Sequence, residues 1–102
     1  MIHVVAIITA HPGQREGLLQ ATHQNLAAVR AEAGCIEYIP VIDAPDIGSF
    51  QAPIGPDSFV MIEKWESKEA LMAHATAPHM TAYSQKTREL VASRAIHILT
   101  LA

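Results

Sequence analysis

Two histidines, His74 and His79, flank Pro78; His74 follows Leu71 by three positions and His79 precedes Tyr83 by four, so each shares a helical face with an apolar or aromatic neighbour. Histidine is the side chain whose ordinary pKa suits a base working near neutrality. Tyr83 reaches past an apolar ring with its hydroxyl, which makes it the preferred donor to a developing oxyanion. Upstream, Phe59, Met61, Glu63 and Trp65 alternate along one strand face. Glu63 is the odd member: a carboxylate on an apolar face needs a partner or a raised pKa, so it is either a buried acceptor or a second proton-transfer group. Trp65 either fills core or stacks on a flat aromatic ligand. The two histidines have a similar pair of readings, as pocket residues or as hydrogen-bonded side chains that shape the helix junction.

A metal centre is disfavoured, because two histidines five apart across a proline, with no nearby Cys or Asp and no His-Glu-x-x-His pattern, make a weak ligand set. His3, His11, His23 and His97 are scattered and read as structural or surface residues. The single cysteine, Cys35, excludes an internal disulfide and has no basic neighbour in sequence to lower its pKa. It reads as a small buried hydrophobe.

Positioning these groups falls to a short series of elements. Ile2 to Ala10 is apolar on both alternating sets, the mark of a strand covered on both faces. Pro12 and Gly34 bracket a long helix with an inner stripe of Leu18, Thr22, Leu26, Val29 and Ala33, and with Asn25 on its flank as a candidate pocket amide. Cys35 to Ile42 is a second strand that carries Tyr38; Pro40 assigns it to a sheet edge. Residues 43–57, rich in Pro and Gly, form a long loop in which Phe50 is a group able to dock on a ligand or a partner. Ser58 to Glu66 is the third strand. Ser67 caps a helix through about Ala77, and a further helix, with Met80, Tyr83, Thr87 and Leu90 on one face, runs to about Val91 before a last strand from Ala95 to Leu101. The order predicts a single α+β domain over residues 1–102, a ferredoxin-like β-α-β-β-α-β split sandwich with a four-stranded antiparallel sheet and helices on one face. Its other face then needs cover, and sheet-to-sheet homodimerisation is the simplest source.

Half of the 102 residues are apolar and 17% are charged, which is too hydrophobic for disorder. A net charge of −3 without a basic cluster excludes nucleic acid as a partner. No apolar run approaches a membrane span and the amino terminus lacks the blocks of a signal peptide, so the expected location is the cytoplasm.

The run Glu63-Lys64-Trp65-Glu66-Ser67-Lys68-Glu69-Ala70-Leu71, then His74 and Pro78-His79-Met80, resembles the antibiotic biosynthesis monooxygenase family, as does Gly34-Cys35-Ile36-Glu37-Tyr38. Asp43, Ser49-Phe50-Gln51, Pro56-Asp57-Ser58, Val60-Met61-Ile62-Glu63 and Ala82-Tyr83-Ser84 are similar to the bacterial quinol monooxygenases within it. The resemblance implies a dimeric α+β barrel with a pocket between sheet and helices, and insertion of one oxygen atom from dioxygen into a quinol or polycyclic phenol without metal, haem or flavin. A haem-opening branch of the superfamily uses a first-strand asparagine and a histidine ligand where this chain has Ala6 and Ser84, which argues against that chemistry despite Trp65. For a quinol, the protein must supply a base (His79 or His74), an oxyanion donor (Tyr83), and an apolar slot from Trp65, Phe59, Met61, Met80, Glu63, Tyr38, Asn25 and Phe50. A non-catalytic dimeric binder of an aromatic or isoprenoid metabolite is the alternative.

Overall fold

The computed structural model describes residues 1–102. The chain runs β1 (Ile2–Ala10), α1 (Arg15–Arg30), β2 (Cys35–Val41), β3 (Ser58–Trp65), α2 (Lys68–Ala75), α3 (Pro78–Thr87) and β4 (Val91–Leu99). All strand pairs are antiparallel in the order β2-β3-β1-β4, so the doubly apolar β1 is central and Pro40 lies on an edge strand, where its missing N–H is tolerated. Opposite Val4 stand Glu63 and Ile98, opposite Ala6 stand Met61 and Ile96, and opposite Ile8 stand Phe59 and Arg94. This face meets the helices, and around it Leu18, Val29, Tyr38, Trp65 and Leu71 complete the core. The alternate set, including Val5, Ile7, Ile39, Val41, Ile62 and Leu99, forms the other face, which no helix covers; Ile39, Val41 and Leu99 are exposed. A shortest dimension of 20 Å fits one sheet and one helical layer.

Several boundaries differ from expectation, each for a local reason. Helix α1 begins at Arg15, because Pro12 and Gly13 are occupied in a turn whose Gly13 N–H donates to Asp57 Oδ1 at 3.0 Å. It ends at Arg30, which leaves Ala33 outside the helix and exposed; the buried stripe is Leu18, Ala21, Thr22 and Val29. Gly34 does adopt the left-handed conformation, φ +85°, in the turn into β2. Ser67 caps α2 by accepting from Ala70 N. The last helix stops at Thr87 rather than Val91: Val91 pairs with Ala10, and Leu90 O accepts from His11 N at 3.0 Å, so sheet pairing overrides helical periodicity.

The 43–57 loop closes on itself. Asp43 accepts from Ile54 N at 2.9 Å and Gly55 N at 3.0 Å, and Arg15 donates to Ser58 O at 3.2 Å beside it. These two backbone donors hold the Asp43 carboxyl below its ordinary value of 3.8. Phe50, at the outer turn of this clasp, is 86% exposed and outside the cavity described below, which corrects its expected place in the slot. Asp43→Ala should release the Ile54 and Gly55 amides to fast hydrogen exchange. In the wild-type protein their protection should be present above pH 3.8 and lost as pH falls through the lowered native value; unchanged exchange in the variant would refute the clasp.

Candidate active site

Helix α1 packs on β2 and α3, while α2 and α3, broken at Pro78, roof the β1 and β4 half of the sheet. Small side chains such as Ala6 leave room beneath them. The result is a cavity of about 580 Å³, of the size that holds small ligands. Val4, Ala6, Met61 and Ile96 supply much of its floor, Leu71 and Met80 its roof, and Tyr38, Glu63, His74 and Tyr83 its polar wall.

His74 is 5% exposed and held from three sides. Its Nδ1 meets Glu32 Oε2 at 2.8 Å. The ring lies against Trp65, centroids 4.7 Å apart, and edge-on to Tyr38 at 5.4 Å. A carboxylate only accepts, so Nδ1 is the donor and Nε2 is left without a protein partner on a cavity-lining residue. His79 Nε2 also lies 3.1 Å from Glu32 Oε2, off the hydrogen-bond direction, and both of its ring nitrogens are sealed from solvent. His79 therefore backs Glu32 and does not reach the cavity wall.

Behind His74, Trp65 Nε1 donates to Glu63 Oε1 at 3.0 Å. Burial raises the Glu63 pKa; the Trp65 N–H and the nearby His74 pull it down, and Glu32 adds to the rise. Of the expected alternatives for Glu63, it is a partnered, buried acceptor that also touches the cavity.

The two tyrosines differ in what their hydroxyls meet. Thr22 Oγ1 donates to Leu18 O at 2.9 Å, so the 2.6 Å contact between Thr22 and Tyr83 has the tyrosine as donor. The Tyr83 proton is thus engaged by α1. Tyr38 makes no side-chain hydrogen bond, lines the cavity, and has its pKa raised by burial first and by Glu63 second. Its phenol keeps its proton and is free to donate. Arg30 pins this point of the edge strand through two hydrogen bonds to Tyr38 O, at 3.1 and 2.9 Å.

A family model described as Antibiotic biosynthesis monooxygenase matches residues 1–86. The chain belongs to the antibiotic biosynthesis monooxygenase family. It is 42% identical over 101 residues to the "Probable quinol monooxygenase YgiN" of Escherichia coli K12, covering 97% of this chain and 96% of that protein. Among solved structures, PA3566 of Pseudomonas aeruginosa is similar at TM-score 0.79 and 32% identity, over 99% of this chain and 94% of that one. Rv0793 of Mycobacterium tuberculosis shares the fold at TM-score 0.80 and 24% identity, over 99% and 94%. No helix of this family member is long and apolar enough to cross a membrane.

The antibiotic biosynthesis monooxygenase fold brings His74, Tyr83, Tyr38, Met61, Glu63 and Met80 to one cavity. Trp65 and Phe59, both fully buried, support it from within the core instead of facing it. Asn25 acts from behind the wall, its amide 3.4 Å from Met80 Sδ. Glu32 was not predicted. It follows the last turn of α1 as an ordinary surface-type residue, and only its nearness to Gly34, where two segments approach closely, hinted at a buried setting. The Cys35 thiol is raised by burial and then by Glu32, as suits an inert residue.

Proposed function

We propose that this monooxygenase oxidises a quinol or polycyclic phenol with dioxygen in the α2–α3 cavity, with His74 Nε2 as base and Tyr38 as donor to the quinolate oxygen. The observation that carries the reading is the Glu32–His74 contact of 2.8 Å, which orients a buried imidazole toward an apolar chamber. Glu32 accepts from Nδ1–H and so keeps Nε2 free to take the phenolic proton. The quinolate passes one electron to dioxygen and the radical pair closes a C–O bond, giving a ring hydroperoxide. Cleavage of the O–O bond then releases one oxygen as water and leaves the other on a hydroxyquinone, so quinol plus dioxygen gives hydroxyquinone plus water. The name of the Escherichia coli relative supports the substrate class.

Purified protein, dialysed against a chelator, should consume oxygen with menadiol above the spontaneous rate and place one oxygen-18 atom in the product. Uptake no faster than autoxidation, with menadione still raising the melting temperature, would replace the enzyme by a binder.

We also propose a homodimer through the uncovered sheet face, because exposed apolar strand surface of this extent is costly in water. Sedimentation should give twice the protomer mass of 11.0 kDa. Ile7→Lys, at the centre of that face, should shift the protein toward monomer; an unchanged mass would reject this interface.

A further inference from the structure

The cavity has a second polar end, far from Glu63 and His74. Arg94 lies opposite Ile8 on β4 and lines the cavity, as does Arg88, the residue that caps α3. The only ion pairs in the molecule are those of Glu32 with the two histidines, so neither arginine has a carboxylate partner. The one acid on the cavity wall is Glu63, which stands opposite Val4. From Val4 to Ile8 is four residues, about 14 Å along the strand, and β3 to β4 is two strand spacings, about 10 Å across. Arg94 and the Glu63 and Tyr38 end therefore sit on a diagonal of the sheet with apolar floor between them, and Arg88 lines the same cavity from the end of α3.

A basic residue does suit a helix's carbonyl end, and an inward charge on an edge strand deters edge pairing. Neither role requires two guanidiniums from different elements to open onto the same apolar chamber. Both arginines are exposed to solvent where they line the cavity, so their guanidinium forks are open to a ligand and match a carboxylate in shape and charge; a monoanion costs less to desolvate beside an apolar floor than a dianion.

We propose that the preferred substrate is an elongated polycyclic phenol that carries a carboxylate at the end remote from the reacting hydroxyl, held by Arg94 and Arg88. This rests on the cavity being the substrate site, as proposed above, and it names the substrate class.

The test uses redox-inert probes, so that it does not depend on turnover: 6-hydroxy-2-naphthoic acid and 6-hydroxy-2-naphthamide, which differ only in charge at the far end. Titration calorimetry at pH 7 and low salt should show the acid bound about tenfold or more tightly than the amide, the equivalent of one charge-assisted hydrogen bond. The ratio should shrink with added salt. In an Arg88→Gln/Arg94→Gln double variant it should fall to near one, with the loss confined to the acid. Equal binding of acid and amide by the wild-type protein, no binding of either, or a preference that survives the double substitution would overturn the proposal. If the acid preference holds while menadiol oxidation is absent, the charged subsite stands and the monooxygenase reading alone fails.

Discussion

His74→Ala is expected to lower the enzymatic rate of quinol oxidation by about 10²–10⁴-fold, the contribution of a positioned general base. The imidazole is the only ring nitrogen donor or acceptor of the histidine pair that reaches the cavity, since both nitrogens of His79 are sealed. His79→Ala should therefore cost much less than His74→Ala, and through Glu32 alone. Glu32→Gln should fall between them, because it removes the carboxylate that holds Nδ1 without removing the base. The rate is read as oxygen uptake minus autoxidation. His74 is packed between Trp65 and Tyr38, so loss of activity could also follow from loss of structure. Added imidazole separates the two: a folded His74→Ala chain has a hole of matching shape and should regain activity. A His74→Ala rate equal to wild type would end the mechanism.

Gly34→Ala is expected to destabilise the domain by about 2–4 kcal/mol, combining a left-handed backbone cost with overpacking. At φ +85° an added Cβ would lie 2.5 Å from Ala70 Cβ, a separation that real side chains do not adopt. Withdrawal is blocked because Gly34 O accepts from Glu66 N at 2.8 Å, which ties the turn to the start of α2. A fall in melting temperature of roughly 10 °C or more should follow for a domain of this size. Ala70→Gly alone costs about 1 kcal/mol as a helix substitution, yet in the Gly34→Ala background it should restore stability by removing the clash. The φ cost would remain. A Gly34→Ala protein melting within a degree of wild type would show that α2 can shift freely, and α2 carries His74.

Much of the fold was legible in the residues. A first strand apolar on both faces, Pro40 in the second, and Ser67 before a helical run lead to a central strand, an edge strand and a capped helix, because each depends on side-chain alternation, a missing N–H or a cap within three residues. His74, Glu63, Met61, Met80 and Tyr38 were legible as candidates for the same kind of reason: polar or flexible groups on otherwise apolar faces. The helix ends at Arg30 and Thr87 were not, since competing turns and the Ala10–Val91 pairing decided them.

Residue pattern thus specified the element order, the inward faces and the kinds of groups available. Which of those groups meet was left to the packing of the elements. Glu32 meets His74 across 42 residues and Tyr83 donates a hydrogen bond to Thr22 across 61, while Phe50 is left in solvent by a clasp closed at Asp43. Periodicity reports which side of an element a residue occupies, but a hydrogen bond is set to within a few tenths of an ångström by how the elements pack. That packing brings one histidine of the candidate pair to the cavity and leaves one of the two tyrosine hydroxyls without a side-chain partner.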